Sequence, residues 1–497
     1  MRSDRKEGRR RNKSTAQNSN KIYRIMAIVY SVIVAIFVVL LAWLNILPMK
    51  YLIALVAVLA VISVFIVPVM YSAKGVVKRK KIAAIFAGLL IVCFGMGAYY
   101  LAGTLSFLGD VAIGNLAQDV GEEYYVIVQA DSDFKKLKNI KGETIATVAV
   151  QDETYEEAKT TLQEKVDGIE FEGVTDVTTL LVGVGDGTYP VGFVSAASYE
   201  SMKSEMDTLE ETTEVLDSIY VKVAEVSAQK AVDVTKEPFN VYVSGVDNSG
   251  NISSASRTDV NMIVTVNPNT HEIMITSIPR DYYVTLASKG APDKLTHSSI
   301  YGIQETVSTV ENMLGIDINY YVKVNYNTVK QVVDAIGGIE IDSPVAFTTS
   351  GMGKLNGITF VEGYNKLDGD MALAYCRERK SFLTGDMQRN ENQQRIIEAV
   401  IKKATSSATI LFNYGDLLDA VRANMETNMS SKEISSLIKS QLLDMSGWDI
   451  SKQSIKGSGA MRHCYALGFS ASVVLQDPIE VANAQAGILE VMNSTEE

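Results

Sequence analysis

FNVYVSGVDNSGNISSASRTDVNMIVTVNPNTHEIMITSIPRD, residues 239–281, is the stretch on which the fold of this 497-residue chain turns. Phe239 to Val246 alternates into a strand that stops at Asp247. A turn-rich stretch, Asn248 to Ser256, leads to Arg257 and Asp259 at the mouth of a second strand, Val260 to Val266. Asn267 to His271 turns the chain into a third, Glu272 to Ile278, which ends at Pro279, Arg280 and Asp281. The charges therefore collect where strands end, and in open α/β sheets that edge is the usual ligand crevice. Further on, Val329, Val332, Val333 and Ile336 fall at helical spacing, Gly337 and Gly338 stop the helix, and Ile339 to Asp342 begins another strand. Helices alternating with strands around one sheet make this part an α/β domain, expected over residues 239–497.

Toward the N-terminus the composition changes completely. Ile25 to Leu47, Tyr51 to Met70 and Ile82 to Leu108 are apolar runs, each near the ~20 residues that cross ~30 Å of hydrocarbon as a helix. Residues 1–24 carry Arg2, Arg5, Lys6, Arg9, Arg10, Arg11, Lys13, Lys21 and Arg24, and the loop after the second run carries Lys74, Lys78, Arg79, Lys80 and Lys81. By the positive-inside rule both segments are cytoplasmic, so three spans over residues 25–108 leave residues 109–497 on the extracellular side of a cell membrane. The first run is too long for a cleavable signal peptide and is followed by two more. Residues 1–24 read as an unstructured basic tail at the anionic inner leaflet.

The chain has 46 Lys plus Arg against 58 Asp plus Glu, a net charge of −12, and its basic residues are concentrated at the cytoplasmic ends. The outer part is therefore acidic, which argues against nucleic acid as a partner, since backbone binding needs a broad basic surface. His271, His297 and His463 are scattered, and no CxxC or HExxH occurs, so nothing has the spacing of a zinc site. Cys93 lies in the third apolar run; whether Cys376 and Cys464 pair is open from the sequence.

The outer part exceeds the usual size of one domain, and a polar stretch from Ala228 to Pro238 separates an accessory α/β domain, residues 114–230, from the one beginning at Phe239. In the accessory part Tyr124 to Gln129, Thr144 to Val150 and Pro190 to Val194 read as strands and Glu153 to Val166 as a helix. Gly183 to Gly187 reads as a glycine-rich turn without the Lys-Ser/Thr of a phosphate loop. Tyr155, Tyr189 and Tyr199 are either core residues or the lining of a sugar pocket.

Arg377 and Arg379 follow an apolar run, Met371 to Cys376, that reads as a strand, and a spacing of two places both guanidiniums on one strand face. Arg389 and Gln393, four apart at the start of the helical pattern Gln388 to Ala404, share a helix face near an N-terminus that itself favours anions. Arginine suits a phosphate because its planar fork donates two parallel hydrogen bonds and stays charged. Any one of these arginines is as well explained by a surface ion pair; the set points to an anion site.

Taken together, these segments resemble a known family. FNVYVSGVD (239–247), RTDVNMIVTV (257–266), TSIPRDYYV (276–284), NYYVKVNYN (319–327), VDAIGGIEI (333–341) and LDGDMALAYCRERK…GDMQRNENQQ (367–394) look like the LytR-CpsA-Psr proteins. The three spans and the accessory region also resemble the capsule-associated, CpsA-like branch. The resemblance implies an α-β-α domain around a mixed sheet. It also implies phosphotransfer of an anionic glycopolymer, of the capsular polysaccharide or wall teichoic acid type, from an undecaprenyl-pyrophosphate carrier to a peptidoglycan hydroxyl. Capsule assembly proteins are further implied partners.

Carried over residue by residue, the resemblance makes Asp247 and Asp259 the ligands of a magnesium ion, or manganese in its place, and groups them with Arg257 as the catalytic set. Arg280, Lys294, Arg377, Arg379, Arg389 and Gln393 would hold the pyrophosphate, with His297 beside Lys294 in DKLTHSSIYG as a further polar contact. The chain departs from many family members at Asn392, where an arginine commonly precedes the glutamine. A lipid carrier also needs an apolar slot, for which Ile300, Val307, Met313, Leu314 and Ile316 are candidates, though each reads more readily as core. A non-enzymatic scaffold that binds the lipid-linked polymer and a lipid-pyrophosphate pyrophosphatase are the competing readings. From the charge asymmetry, a reporter fused after residue 497 is expected to be active only outside the membrane and one inserted at Lys78 only in the cytoplasm; a cytoplasmic C-terminal signal would remove the cell-wall reading.

Overall fold

The computed structural model describes residues 2–44, 49–72, 77–114, 120–148, 153–203, 206, 208–224, 230–246, 257–350, 353–382, 385–406, 425–444 and 446–495. Asp247, the 248–256 turn and the end of the expected strand at 149–150 lie outside them. The chain divides into two compact units, Met1–Asp110 with Ile434–Met445, and Val111–Glu433 with Ser446–Glu497.

In the first unit α1 (Arg2–Leu44), α2 (Met49–Tyr71) and α3 (Val77–Gly114) contain three stretches long and apolar enough to cross a membrane, Asn20–Trp43, Met49–Tyr71 and Val77–Gly97. The basic tail, expected to be unstructured, continues α1 back to Arg2; a helix nucleated by the apolar span propagates readily into Arg and Lys, which are good helix formers. Arg24 Nε donates to the Tyr71 carbonyl at 3.3 Å, and Lys80 Nζ donates to Asn20 Oδ1 at 2.7 Å and to the Ser72 carbonyl. These bonds gather the start of the first span, the end of the second and the start of the third at one end of the bundle, so the two basic segments share a side.

The second unit holds two sheets. The accessory sheet has the order β3-β2-β4-β1-β5, with β1 (Val120–Gln129), β2 (Thr144–Val148), β3 (Glu170–Val174), β4 (Val191–Ser195) and β5 (Thr213–Ala224). Its parallel strands β2, β3 and β4 are linked through α4 (Glu153–Lys165) and α5 (Val177–Gly185); α6 (Ala196–Met202) and α7 (Leu209–Thr212) follow. The expected glycine-rich turn is largely helix, because Asp176 caps α5 by accepting the Thr179 N–H at 2.8 Å, and Gly183 leaves room for the Tyr189 ring, which a Cβ there would approach to 2.4 Å. Tyr155 and Tyr199 are buried in the cores on the two sides of this sheet, at 4% and 3% exposure.

The larger, mixed sheet has the order β16-β11-β6-β7-β8-β17. Its strands are β6 (Phe239–Val246), β7 (Thr258–Asn267), β8 (Glu272–Ser277), β11 (Tyr320–Asn325), β16 (Met425–Thr427) and β17 (Asp449–Ser454). Two-stranded ladders flank it: β9 (Tyr283–Thr285) with β10 (Pro292–Lys294), β12 (Ile339–Ser343) with β15 (Gly363–Leu367), β13 (Phe347–Ser350) with β14 (Asn356–Phe360), and β18 (Gly457–Cys464) with β19 (Phe469–Gln476). Side chains alternate across strands. Tyr242, Ile263 and Tyr321 therefore face one side, where the short α8 (Leu295–Ser298) leads into α9 (Ile303–Leu314), and the C-terminal helix Pro478–Asn493 completes the cover. Val243, Val260 and Val324 face the other, toward α10 (Tyr326–Ala335) and α12 (Asp386–Ala404), with α11 (Gly369–Arg377) behind. Both faces are thus covered by helices.

Two expectations change at this level. Met371 to Cys376 is helix α11, not a strand: Asp368 caps it by accepting the Met371 N–H at 2.9 Å, and Met, Ala and Leu are strong helix formers. Val307, Met313, Leu314 and Ile316 pack into the core under α9, and Ile300 into a smaller cluster, so they form no slot. Cys376 and Cys464 are both free thiols.

Gly338 turns the chain from α10 into β12 at φ +85°, where an added Cβ would meet the Leu367 carbonyl oxygen at 2.8 Å. Gly338→Ala is therefore expected to cost about 1–3 kcal/mol of stability, read as a lowered denaturant midpoint with unchanged m; an unaltered midpoint would contradict the reading of that turn.

Candidate active site

The charged residues meet in a cavity of about 670 Å³ at the ends of β7 and β8, closed by α8, the C-terminus of α11 and the N-terminus of α12. Its wall carries Arg257, Arg280, Lys294, Arg377, Arg379, Lys380 and Arg389, opposed by Asp259, Asp281 and Glu378. Seven cationic groups against three carboxylates leave this space with an excess of positive charge.

Asp259 is the pivot. It is 9% exposed; its Oδ1 accepts from Arg280 Nη1 at 2.7 Å and its Oδ2 from the Tyr326 hydroxyl at 3.4 Å. Burial alone would raise its pKa, but the neighbouring charges of Arg280, Arg389 and Arg257 outweigh that and hold it below the ordinary carboxylate range. The backbone around Arg280 is fixed as well, since its carbonyl accepts the Thr296 N–H at 2.8 Å and Thr296 Oγ1 donates to the Thr258 carbonyl at 2.9 Å. These bonds tie α8 to both strand mouths.

Arg377 and Arg379 do share the cavity, for a reason other than strand periodicity. Arg377 is the last residue of α11 and Glu378 is extended, so the two arginines flank a carboxylate that turns inward. Glu378 accepts the Ser350 N–H at 2.7 Å, the Ser350 hydroxyl at 3.0 Å and the Ser381 N–H at 2.9 Å. Burial pushes its pKa up, but these bonds prevail and lower it. The Arg377 guanidinium lies 4.5 Å from the centre of the Tyr326 ring, a cation–π contact. Arg389 is buried at 5% on the first turns of α12, as the helical pattern required.

Gln393 is placed differently from expectation. It lines a second, almost wholly apolar cleft, and its Nε2 donates to the Cys376 carbonyl at 3.4 Å. Asn392, at the position of the family's common arginine, is buried with its Nδ2 3.5 Å from the Tyr375 carbonyl. The cleft holds about 190 Å³ between the sheet face of Val243, Val260 and Val324 and the helix residues Val329, Val332, Ile396, Ile397 and Ile401. Tyr326 belongs to both spaces, so the cleft and the charged cavity adjoin. Tyr326, Glu378, Lys380 and Ser350 are site residues that sequence reasoning did not single out. Glu378 sits between the two arginines in sequence, and Tyr326 follows Asn325, which forms a capping box with Thr328 at the start of α10.

Among the described residues no group of three or more His, Cys, Asp or Glu side chains is arranged around a metal position. A hard divalent cation shared with phosphate asks for less, one or two carboxylates with phosphate and water oxygens. Asp259 can supply one; Asp247 lies outside the described residues.

The sequence profile of the LytR_cpsA_psr family matches residues 196–477. A polyisoprenyl-teichoic acid–peptidoglycan teichoic acid transferase, TagU, of Bacillus mycoides (strain KBAB4) is 34% identical over 256 residues, 50% of this chain and 76% of that protein. TagU of Bacillus subtilis (strain 168) is 34% identical over 258 residues, 52% of this chain and 76% of that protein. Among solved structures, that of B. subtilis TagV matches with 29% identity and a TM-score of 0.44, over 52% of this chain and 99% of that one.

Because the native pKa of Asp259 lies below its unfolded value, its contribution to stability is present above the ordinary carboxylate range and is lost as pH falls through the native pKa. Thermal midpoints measured from neutral to acid pH should therefore fall less steeply for Asp259→Asn than for the wild type; parallel curves would show that Asp259 is not held ionised by its arginines.

Proposed function

Since the chain belongs to the LytR-CpsA-Psr family, we propose that it transfers an anionic glycopolymer from an undecaprenyl-pyrophosphate carrier to a hydroxyl of peptidoglycan, on the outer side of the membrane. The observation that carries this reading is the adjoining pair of spaces, one strongly cationic and one apolar, joined at Tyr326. A polyprenyl pyrophosphate has the complementary shape, a dianionic or trianionic head on an apolar tail. Inorganic phosphate or a nucleotide would use the cavity and leave the cleft idle.

In this reading Arg280, Arg377, Arg379, Arg389 and Lys294 hold the pyrophosphate and neutralise the charge that grows on the leaving lipid phosphate. Arg257 faces the same space beside Asp259. Magnesium, held by Asp259 and Asp247 with phosphate oxygens, would supply further charge neutralisation. The cleft takes the head-proximal part of the tail, between the sheet and α10 and α12, and so fixes the reacting phosphorus against the arginines. Wall teichoic acid and capsular polysaccharide are both polymers of the required class.

The test uses the full chain in detergent micelles, polyprenyl-pyrophosphoryl glycan, magnesium and peptidoglycan oligomers. Loss of one charge-assisted hydrogen bond is worth roughly 1.5–3 kcal/mol, so Arg377→Ala and Arg389→Ala should each lower transfer about 10-fold to somewhat over 100-fold. Arg377→Lys should be impaired too, since an ammonium keeps the charge but loses the fork and the stacking on Tyr326. Asp259→Ala should remove the stimulation by magnesium. Normal transfer in all four variants would leave these residues a structural role alone; release of glycan to water alone would make the protein a pyrophosphatase, and binding without turnover a scaffold.

A further inference from the structure

His297 lines the charged cavity yet is only 2% exposed, and it is not an anion-binding group in the way the arginines are. Its Nδ1 lies 2.7 Å from Asp293 Oδ1. That oxygen also accepts the Lys294 N–H at 2.7 Å, while Asp293 Oδ2 accepts the Ala466 N–H at 2.8 Å. A carboxylate engaged by backbone donors on both oxygens acts as an acceptor toward the ring as well. Nδ1 is thus the ring nitrogen engaged by Asp293, and Nε2 is the one left to act on another partner.

The same hydrogen bonds continue into the accessory domain. The Ala466 carbonyl accepts from Ser198 Oγ at 2.7 Å. Ser195 Oγ donates to Ser198 Oγ at 2.9 Å and accepts the Ser198 N–H at 3.1 Å, as the N-cap of α6. Ser195 is the last residue of β4, so hydrogen bonds on either side of Ala466, joined through its backbone, link the accessory sheet to the imidazole. It is sheathed by Ala196, Ala197, Leu286, Ile300 and Tyr301, which are buried together with Ala466. Away from water such bonds position their partners firmly. Cys464, beside Asp293, stays a neutral thiol, its pKa pushed up to about 12 by burial and by that carboxylate.

We propose that His297 accepts the proton of the attacking peptidoglycan hydroxyl, and that the accessory domain sets the imidazole for this task through Ser198, Ala466 and Asp293. This rests on the transfer reading above. As the hydroxyl oxygen bonds to the glycan-bearing phosphorus, its proton passes to Nε2. The bond from that phosphorus to the bridging oxygen breaks, and the electron pair leaves with the polyprenyl phosphate among the arginines. The imidazolium then gives its proton to water. His297 is the catalytic residue of this step; Asp293 and Ser198 are positioning residues.

The experiment compares wild type, His297→Gln, Ser198→Ala and Ser198→Thr as full chains in micelles. Transfer at saturating donor, the dissociation constant for polyprenyl pyrophosphate and the thermal midpoint are measured for each. His297→Gln should lose roughly 100-fold or more in turnover, with donor affinity unchanged. Ser198→Ala should lose about 2- to 10-fold in turnover, again without loss of affinity, and Ser198→Thr, which keeps the hydroxyl, should restore it. Turnover of His297→Gln within about threefold of wild type would overturn the proton-acceptor role, as would an equal loss of affinity and turnover, which would mark His297 as a head-group contact. Equal turnover in the two Ser198 variants would overturn the accessory route. If the wild type only hydrolyses its donor, the transfer reading fails, and the same comparisons on the hydrolysis rate still decide the role of His297.

Discussion

Like charges brought together in one cavity repel, and in this protein that repulsion is balanced at Asp259. Its carboxylate lies at the mouth of β7, receives Arg280 at 2.7 Å and sits within the fields of Arg389 and Arg257. Without it Arg280 would lose its shortest carboxylate partner, and Asp281 and Glu378 would be the carboxylates left against seven cationic groups. The balance is incomplete, with seven cationic groups against three carboxylates. In the proposed reading a pyrophosphate would complete it, and the groups that receive it are already gathered in one cavity.

A second constraint comes from the sheet. Buried on both faces, it gives one side to α9 and the C-terminal helix, which pack with it into one core cluster, and the other to α10 and α12, where a cleft of about 190 Å³ lies beside the charged cavity. The cavity and the cleft are lined by the same few elements: α12 contributes Arg389 to the cavity and Ile396, Ile397 and Ile401 to the cleft. The accessory domain enters through polar contacts as well as packing. Lys289 and Glu122 pair in a buried position between β1 and the segment after β9, and Ser198 holds the Ala466 turn. The accessory sheet is therefore part of the support for the cavity wall and more than a spacer.

Much of this was legible in the sequence where the signal is local and repetitive. Long apolar runs gave the three spans, alternation gave β6, β7 and β8, and charges at strand ends gave Arg257, Asp259, Arg280 and Asp281. Legibility failed where two periods compete over a short run. Met371 to Cys376 is apolar throughout and reads as a strand, and only the Asp368 cap and its helix-forming residues mark it as α11. Val307, Leu314 and Ile316 read as slot or as core from the sequence, and only their packing shows that they are core, while open apolar space lies beside α10 and α12. Gln393 shows the same limit: sequence spacing placed it with Arg389, and the helix turns it into the cleft. No sequence pattern joins Ser198 to Ala466, 268 positions apart.

The central claim, that one donor occupies the charged cavity and the apolar cleft together, is tested most directly by photo-crosslinking. A polyprenyl pyrophosphate carrying a photoreactive group on its first isoprene units would be irradiated with the full chain in micelles and the modified residues mapped by mass spectrometry. Labelling of Val329, Val332, Ile397 or Ile401, suppressed by excess pyrophosphate and by Arg389→Ala, is the result expected. Labelling confined to α9, or unchanged by both excess pyrophosphate and Arg389→Ala, would contradict the account.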